Sequence, residues 1–180
     1  MLKDFNKVAD MPQEVIEKYK NKVPAELLQI WEEDGLGTFL NGYLKVINPE
    51  DYLELVQETY FRGDVSVPIF VTAFGDVITL EEGKTLRNVM YREGNFKLIP
   101  GGMKYFVIDL EDKEFIEESF DIDFYQEAIE KHGELDYNQC FGFVPLLALG
   151  GFKDADHLDK VKIFEHIMLI TQLVGGIGME

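Results

Sequence analysis

The stretch that decides the fold class is Val67-Pro68-Ile69-Phe70-Val71-Thr72-Ala73-Phe74-Gly75-Asp76-Val77-Ile78-Thr79-Leu80. It is almost continuously apolar and rich in β-branched residues, which is typical of buried strand. Gly75-Asp76 interrupts it with residues that favour a hairpin turn, and Pro68 stands near the start, where a strand tolerates proline. The stretch therefore predicts two antiparallel strands.

The residues on either side extend this pattern to further strands. Residues 86–92 and 96–99 flank Glu93-Gly94-Asn95, a three-residue hairpin loop. Upstream, residues 38–47 read as one strand bent at Gly42. Because the strands follow one another through short connections, they predict an antiparallel meander.

Helices are predicted before, between and after these strands. Pro12 and Pro24 each open a helix, and Gly35 ends the second one. Asn48-Pro49 then provides a cap residue and a first-turn proline for a third helix.

The second half of the chain is predicted to be mostly helical. An apolar stripe within residues 124–129 ends at Gly133. A last helix is expected from about Asp156 to Val174, opened by Asp154 or Asp156 and ended by Gly175-Gly176. Its apolar positions cover a wide arc, so we expect it to be buried on several sides.

These patterns predict an α+β fold with an antiparallel sheet flanked by helices and a C-terminal helical lobe that shares the core. We expect an α+β half over 1–105 and an acidic, mostly helical half over 106–180. With no linker or repeat between them, the halves are expected to form one folding unit.

Composition restricts the possible partners. The 180 residues are 46% hydrophobic, which indicates a folded protein, and carry a formal net charge of -17. Such a charge disfavours direct contact with nucleic acid or an anionic membrane and favours a basic protein partner. Cys140 is the sole cysteine, the N-terminus lacks a signal-peptide pattern, and the longest apolar run, 140–152, is too short to span a bilayer. We therefore expect a cytoplasmic protein.

Much of the charge lies in one segment. Residues 109–136 contain twelve Asp or Glu and only two Lys, a local balance of -10. This segment and the Glu32-Glu33-Asp34 loop are the candidate partner-binding regions. The candidate residues are Glu32, Glu33, Asp34, Asp76, Glu114, Glu117, Glu118, Asp121 and Asp123.

The sequence offers no catalytic, cofactor or metal site. Neither of the two serines, Ser66 and Ser119, lies in a nucleophile elbow, and the three histidines form no metal motif. Cys140 heads an apolar run and is expected to be buried as a small hydrophobe. Asp76 reads first as a turn residue that satisfies local backbone N–H groups. We expect no enzymatic activity.

Several short motifs, taken in order, resemble one protein family. They are Trp31 with Gly35, Asn48-Pro49 with Tyr52, Thr72–Asp76, Tyr91-Arg92, His132-Gly133, Phe141–Gly151 and the helix over 160–172. Together they resemble the GAD-like domain family, which is similar to type VI secretion immunity proteins and lies near the SMI/KNR-like (SUKH) superfamily. The resemblance implies a non-enzymatic protein that binds a cognate secreted toxin and blocks or deforms its active site. The toxins of such proteins include DNases.

The resemblance and the charge agree on a basic nuclease as partner, since an acidic inhibitor competes for groups that hold phosphates. A small-molecule or peptide-binding regulatory module, with a pocket lined by Phe and Tyr, is the alternative. An enzyme comes third. A deep aromatic pocket favours the module, a flat acidic face favours toxin inhibition, and two facing buried carboxylates favour the enzyme. The oligomeric state stays open.

Overall fold

A seven-stranded antiparallel sheet dominates the computed structural model, which describes residues 2–179. Its strands are β1 (Asn6–Ala9), β2 (Leu36–Phe39), β3 (Leu44–Val46), β4 (Ser66–Thr72), β5 (Val77–Glu81), β6 (Thr85–Met90) and β7 (Asn95–Ile99). They lie side by side in chain order, so the predicted meander is confirmed. The fold class, α+β with helices flanking an antiparallel sheet, is confirmed as well.

The hairpin of β4 and β5 lies at the centre of the sheet. Val71 pairs with Val77, and the backbone N–H of Thr72 donates to the carbonyl of Asp76 at 2.9 Å. Gly75 has φ +78°, a left-handed conformation that favours glycine, and makes the turn possible. Both strands are buried along almost their whole length, as their apolar sequence predicts.

The strand predicted over 38–47 is wrong: the structure has a hairpin there. β2 ends at Phe39, the chain turns through Leu40, Asn41 and Gly42, and β3 begins at Leu44. All three turn residues have positive φ, between 50° and 88°. Asn-Gly is a favoured hairpin dipeptide, and its turn geometry explains why the chain reverses instead of bending.

Helices cover both faces of the sheet. They are α1 (Gln13–Tyr19), α2 (Ala25–Glu33), α3 (Pro49–Thr59), α4 (Gly102–Asp109), α5 (Lys113–Ser119), α6 (Ile122–His132) and α7 (Ile163–Val174). Helices α1, α2, α4 and α6 bury side chains against one face, with α5 partly buried beside them. Helices α3 and α7 cover the opposite face, where Val71, Val77 and Val89 meet them.

The last helix begins later than the sequence predicts. Residues Ala155–His157 form a 3-10 turn, and Leu158–Lys162 form β9, which pairs antiparallel with β8 (Gln139–Phe143). Asp154 caps the 3-10 turn, its Oδ1 accepting from the backbone N–H groups of Asp156 and His157. Pairing with β8 therefore overrides a local helical pattern, and the predicted start at Asp156 is wrong.

Aromatic side chains from both halves of the chain pack together. Phe74, in the β4–β5 turn, stacks on Phe124 of α6 with ring centroids 5.1 Å apart, and Phe70 stacks on Phe106 of α4 at 5.6 Å. The backbone N–H of Phe141 donates to the carbonyl of Ala73 at 2.7 Å. The Thr72–Asp76 turn is thus held by the C-terminal half.

Candidate interaction surface

The acidic segment folds so that its charges point outward. Asp112 caps the N-terminus of α5, its Oδ1 accepting from the backbone N–H of Glu114 at 2.9 Å. Phe115 and Ile116 pack against the core, which leaves Glu114, Glu117 and Glu118 exposed on the other side. In α6 the buried residues are Tyr125 and Ala128, and Asp123 is exposed.

Two clefts border the junction of α5 and α6. One of about 330 Å³ is lined by Glu117, Phe120, Asp121, Ile122, Asp123, Phe124 and Glu127. A second, of about 170 Å³, has Glu117, Glu118 and Asp121 among its walls, together with Lys97 and Lys153. Four predicted residues (Glu117, Glu118, Asp121 and Asp123) therefore lie together, and Glu114 lies one turn earlier on α5. We name these five residues the acidic surface.

Asp121 differs from the rest of the acidic surface because it is tied into an ion-pair network. Its Oδ2 accepts from Arg92 Nη2 at 2.7 Å and lies 3.5 Å from Lys153 Nζ. Burial alone would raise the pKa of Asp121, but the charges of Arg92 and Lys153 hold it below its usual value. Lys153 also pairs with Glu93 at 2.9 Å.

Asp76 does not belong to any surface, so the expectation that it binds a partner is wrong. It is 0% exposed, and its Oδ2 accepts from Arg92 Nε at 2.8 Å. Burial raises the pKa of Asp76 to about 6 despite the neighbouring guanidinium. The sequence predicts that this side chain accepts from local backbone N–H groups. In the structure it instead forms an ion pair with Arg92, which lies sixteen positions away in the chain.

The candidate residues near position 33 form a separate site. Glu32 and Glu33 are exposed at the C-terminal end of α2. Asp34 is buried, and its Oδ2 accepts from the backbone N–H of Leu2 at 2.8 Å, which holds the N-terminal segment against α2. Asp34 is therefore a structural residue, which is contrary to the partner-binding role expected for it.

Glu81 is a third buried carboxylate, and the sequence patterns do not predict its role. Glu81 is 1% exposed and accepts from Tyr60 Oη, Arg62 Nε and Arg87 Nε at 2.7, 2.7 and 3.0 Å. Its position at the end of an apolar strand was the available signal. Tyr60, Arg62 and Arg87 lie in separate parts of the chain, so the sequence alone does not indicate that they meet at Glu81.

The predicted burial of Cys140 is confirmed. The side chain is 0% exposed, and burial raises the pKa of its thiol to about 12. Lys45 lies nearby, also buried; its Nζ donates to the carbonyl of Asp136 at 3.2 Å, and burial lowers its pKa to about 8. The thiol therefore stays protonated at neutral pH, in keeping with a core residue.

The expectation that α7 is buried on several sides is wrong. Only Ile163, His166, Ile167 and Ile170 are buried. The exposed apolar residues of this helix are Phe164, Met168, Leu169, Leu173 and Val174, each between 36% and 54% exposed. The wide apolar arc in the sequence thus corresponds to one face in the core and further apolar side chains on the surface.

Between residues 2 and 179, no group of three or more His, Cys, Asp or Glu is placed to hold a metal ion. Nor is any helix of that range long and apolar enough to cross a membrane.

Comparison with known proteins identifies the family. Residues 1–91 match the model of the GAD-like domain, which is half of the chain. The chain belongs to the GAD-like domain family. Residues 101–174 match the model "T6SS immunity protein Tdi1, C-terminal", so the second half of this GAD-like protein supports a type VI secretion immunity assignment. That assignment implies a toxin-neutralising function.

A solved structure supports the fold of this GAD-like protein. The crystal structure of Atu4351 from Agrobacterium tumefaciens superposes with a TM-score of 0.76 at 19% identity, covering 93% of this chain and 85% of that one. At this identity the likeness concerns the fold. No curated protein matches the chain.

Proposed function

We propose that this protein neutralises a secreted nuclease by covering the basic surface with which the toxin holds nucleic acid. The observation that carries the proposal is the acidic surface on α5 and α6, in a segment with a local balance of -10. A nuclease needs positive charge to hold phosphates, and an acidic inhibitor competes for the same groups.

The buried carboxylates support a non-enzymatic role. Asp34 is bound by a backbone N–H, Asp76 by Arg92, and Glu81 by two arginines and a tyrosine. Each of them lies in a different set of contacts, whereas a catalytic pair needs two carboxyl groups facing one cleft.

The aromatic side chains also weigh against the alternative of a ligand-binding module. Tyr43, Phe74, Phe124 and Phe141 pack on one another and on neighbouring rings in the core. A cleft of about 430 Å³ near α7 has Tyr91 as its only aromatic wall residue, and the cleft of about 330 Å³ at the junction of α5 and α6 has two, Phe120 and Phe124, among four acidic residues. A pocket for a small ligand is expected to be lined by several such side chains.

Identification of the partner is the first experiment. Tagged protein is used to recover its partner from a toxin-producing strain of the native bacterium, followed by mass spectrometry. A basic secreted nuclease is expected. A well-folded bait that retains no toxin would contradict the proposal.

The role of the acidic surface is then tested by charge reversal. Glu114→Lys with Glu118→Lys is expected to slow association with the recovered toxin and to weaken its dependence on salt. The matched control is Glu14→Lys with Asp64→Lys, which makes the same charge change at two exposed acids, one of them also in the first turn of a helix. Equal effects from both pairs would mean that net charge, and not the acidic surface, steers the toxin.

A further inference from the structure

The exposed apolar side chains of α7 lie beside a cleft. Ile170 and Val174 line the cleft of about 430 Å³, together with Leu147, Ala148 and the segment 91–94. Leu173 follows Ile170 by three positions and Leu169 by four, so these side chains are neighbours along the helix. Leu169, Leu173 and Val174 are 48%, 54% and 43% exposed. We name these three residues and the cleft the α7 patch.

The α7 patch continues into the acidic surface. Arg92 and Glu93 line both the cleft beside α7 and the smaller cleft that contains Glu117, Glu118 and Asp121. The ion pair of Lys153 with Glu93 spans this boundary. The result is one surface with an apolar centre and a charged border, which is the common anatomy of a protein–protein interface.

We infer that the α7 patch is the apolar centre of the toxin interface, and that the cleft receives an apolar or aromatic anchor side chain flanked by basic residues of the toxin. This inference rests on the proposed function and adds the source of affinity to it. Charged borders mainly speed association, whereas buried anchors supply most of the binding free energy. Apolar patches on a monomer usually mark such contacts.

The net negative charge of the chain favours the toxin over a second copy of the chain as the protein that occupies the α7 patch. A second copy carries the same net charge of -17, so joining two α7 patches would bring like charges together. Beside the patch, Glu165 lies exposed on α7, and the acidic surface borders the neighbouring cleft, whereas Glu93 is already paired with Lys153. A partner with Lys or Arg around its anchor complements Glu165 and the acidic surface.

The test is survival of the bacterium under attack by its own toxin. A strain lacking this chain is complemented with variants and grown against its toxin-delivering parent, with equal protein levels checked by immunoblot. Wild-type protein is expected to restore survival, and Leu169→Ser with Leu173→Ser to lower the number of survivors about tenfold or more. The control, Val8→Ser with Ile108→Ser, removes apolar side chains that are 57% and 58% exposed elsewhere and should protect fully.

The outcomes separate the inference from the proposed function. If wild-type protein fails to protect, the immunity function itself is wrong and the inference with it. If wild-type protein protects and the α7 variant protects equally, only the α7 patch is excluded. Sedimentation velocity provides a further check, since a wild-type dimer that the α7 variant converts to monomer would identify a second copy as occupant and overturn the inference.

Discussion

Arg92 and Asp76 form a buried ion pair, Nε to Oδ2 at 2.8 Å, whose guanidinium also binds Asp121 at 2.7 Å. The carbon at the centre of the guanidinium lies 4.7 Å from the ring centre of Phe74. One side chain thus joins the β4–β5 turn, the loop after β6 and the start of α6.

Removing the guanidinium of Arg92 should therefore destabilise the folded protein. Arg92→Met keeps the length of the side chain but leaves Asp76 buried without its cation, so we expect the free energy of unfolding to fall by about 3–5 kcal/mol. Urea denaturation measures this. Lys153→Met, which breaks exposed ion pairs, should cost less than about 1 kcal/mol, and equal losses would show that Arg92 has no special role.

The pKa of Asp76 predicts a pH dependence of stability. Because the folded pKa is about 6 and an unfolded aspartate has about 3.9, the native state binds more protons between these values. This contribution to stability is complete below about pH 4 and is lost as the pH rises through about 6. The Asp121 carboxylate, whose pKa is lowered, acts in the opposite sense at more acidic pH.

Asp76→Asn removes the titration. Measured by urea unfolding at several pH values between about 4 and 7, wild-type stability should decline relative to that of the variant as the pH rises. Parallel curves over this range would contradict the raised pKa.

The contact between Gly75 and Cys140 predicts that a methyl group added at position 75 lowers the stability of the protein. A Cβ at Gly75 would lie 3.0 Å from the sulfur of Cys140, and the residue has φ +78°. Gly75→Ala should therefore cost about 2–3 kcal/mol, from backbone strain and from crowding. Gly94→Ala, at φ +69° with nothing within 4 Å of the new Cβ, should show the strain alone. Equal losses would mean that the turn and β8 adjust freely.

The shared aromatic core predicts that both halves unfold together. Fluorescence of Trp31, the single tryptophan, reports on the first half, and the reactivity of the Cys140 thiol reports on the second. In increasing urea the two signals should change at the same concentration, and the thiol should be unreactive in the native protein. Separate transitions would show two folding units.

The central sheet could be predicted from the sequence because its signals are local. The apolar strands on either side of Gly75 and the hairpin near Gly94 need no distant partner to be recognised. The predicted bounds of that hairpin are wrong, because its loop covers residues 91–94 and Asn95 already pairs with Met90 in the sheet. The single strand predicted over 38–47 is wrong because Asn41-Gly42 forms a hairpin turn and does not merely bend a strand. The early start given to α7 failed for another reason: β9 exists only through its pairing with β8.

The same distinction between local and distant contacts separates the exposed candidate residues from the buried ones. Charges on amphipathic helices, such as Glu114 and Glu118, point to solvent as their spacing requires. Asp34 and Asp76 are buried, and each is bound by a group distant in the chain, the backbone N–H of Leu2 and the guanidinium of Arg92. Nothing in the local sequence distinguishes such an aspartate from an exposed turn residue.

The position of Arg92 has a consequence for how proteins of this kind can be recombined. It lies between the two segments that match separate families, 1–91 and 101–174, and its side chain binds one aspartate from each. A chimera that brought in a C-terminal segment without a carboxylate at the position of Asp121 would leave the guanidinium short of one anion. We therefore expect that replacing one segment of this chain with that of a relative preserves stability only if the incoming segment keeps the aspartate that Arg92 binds.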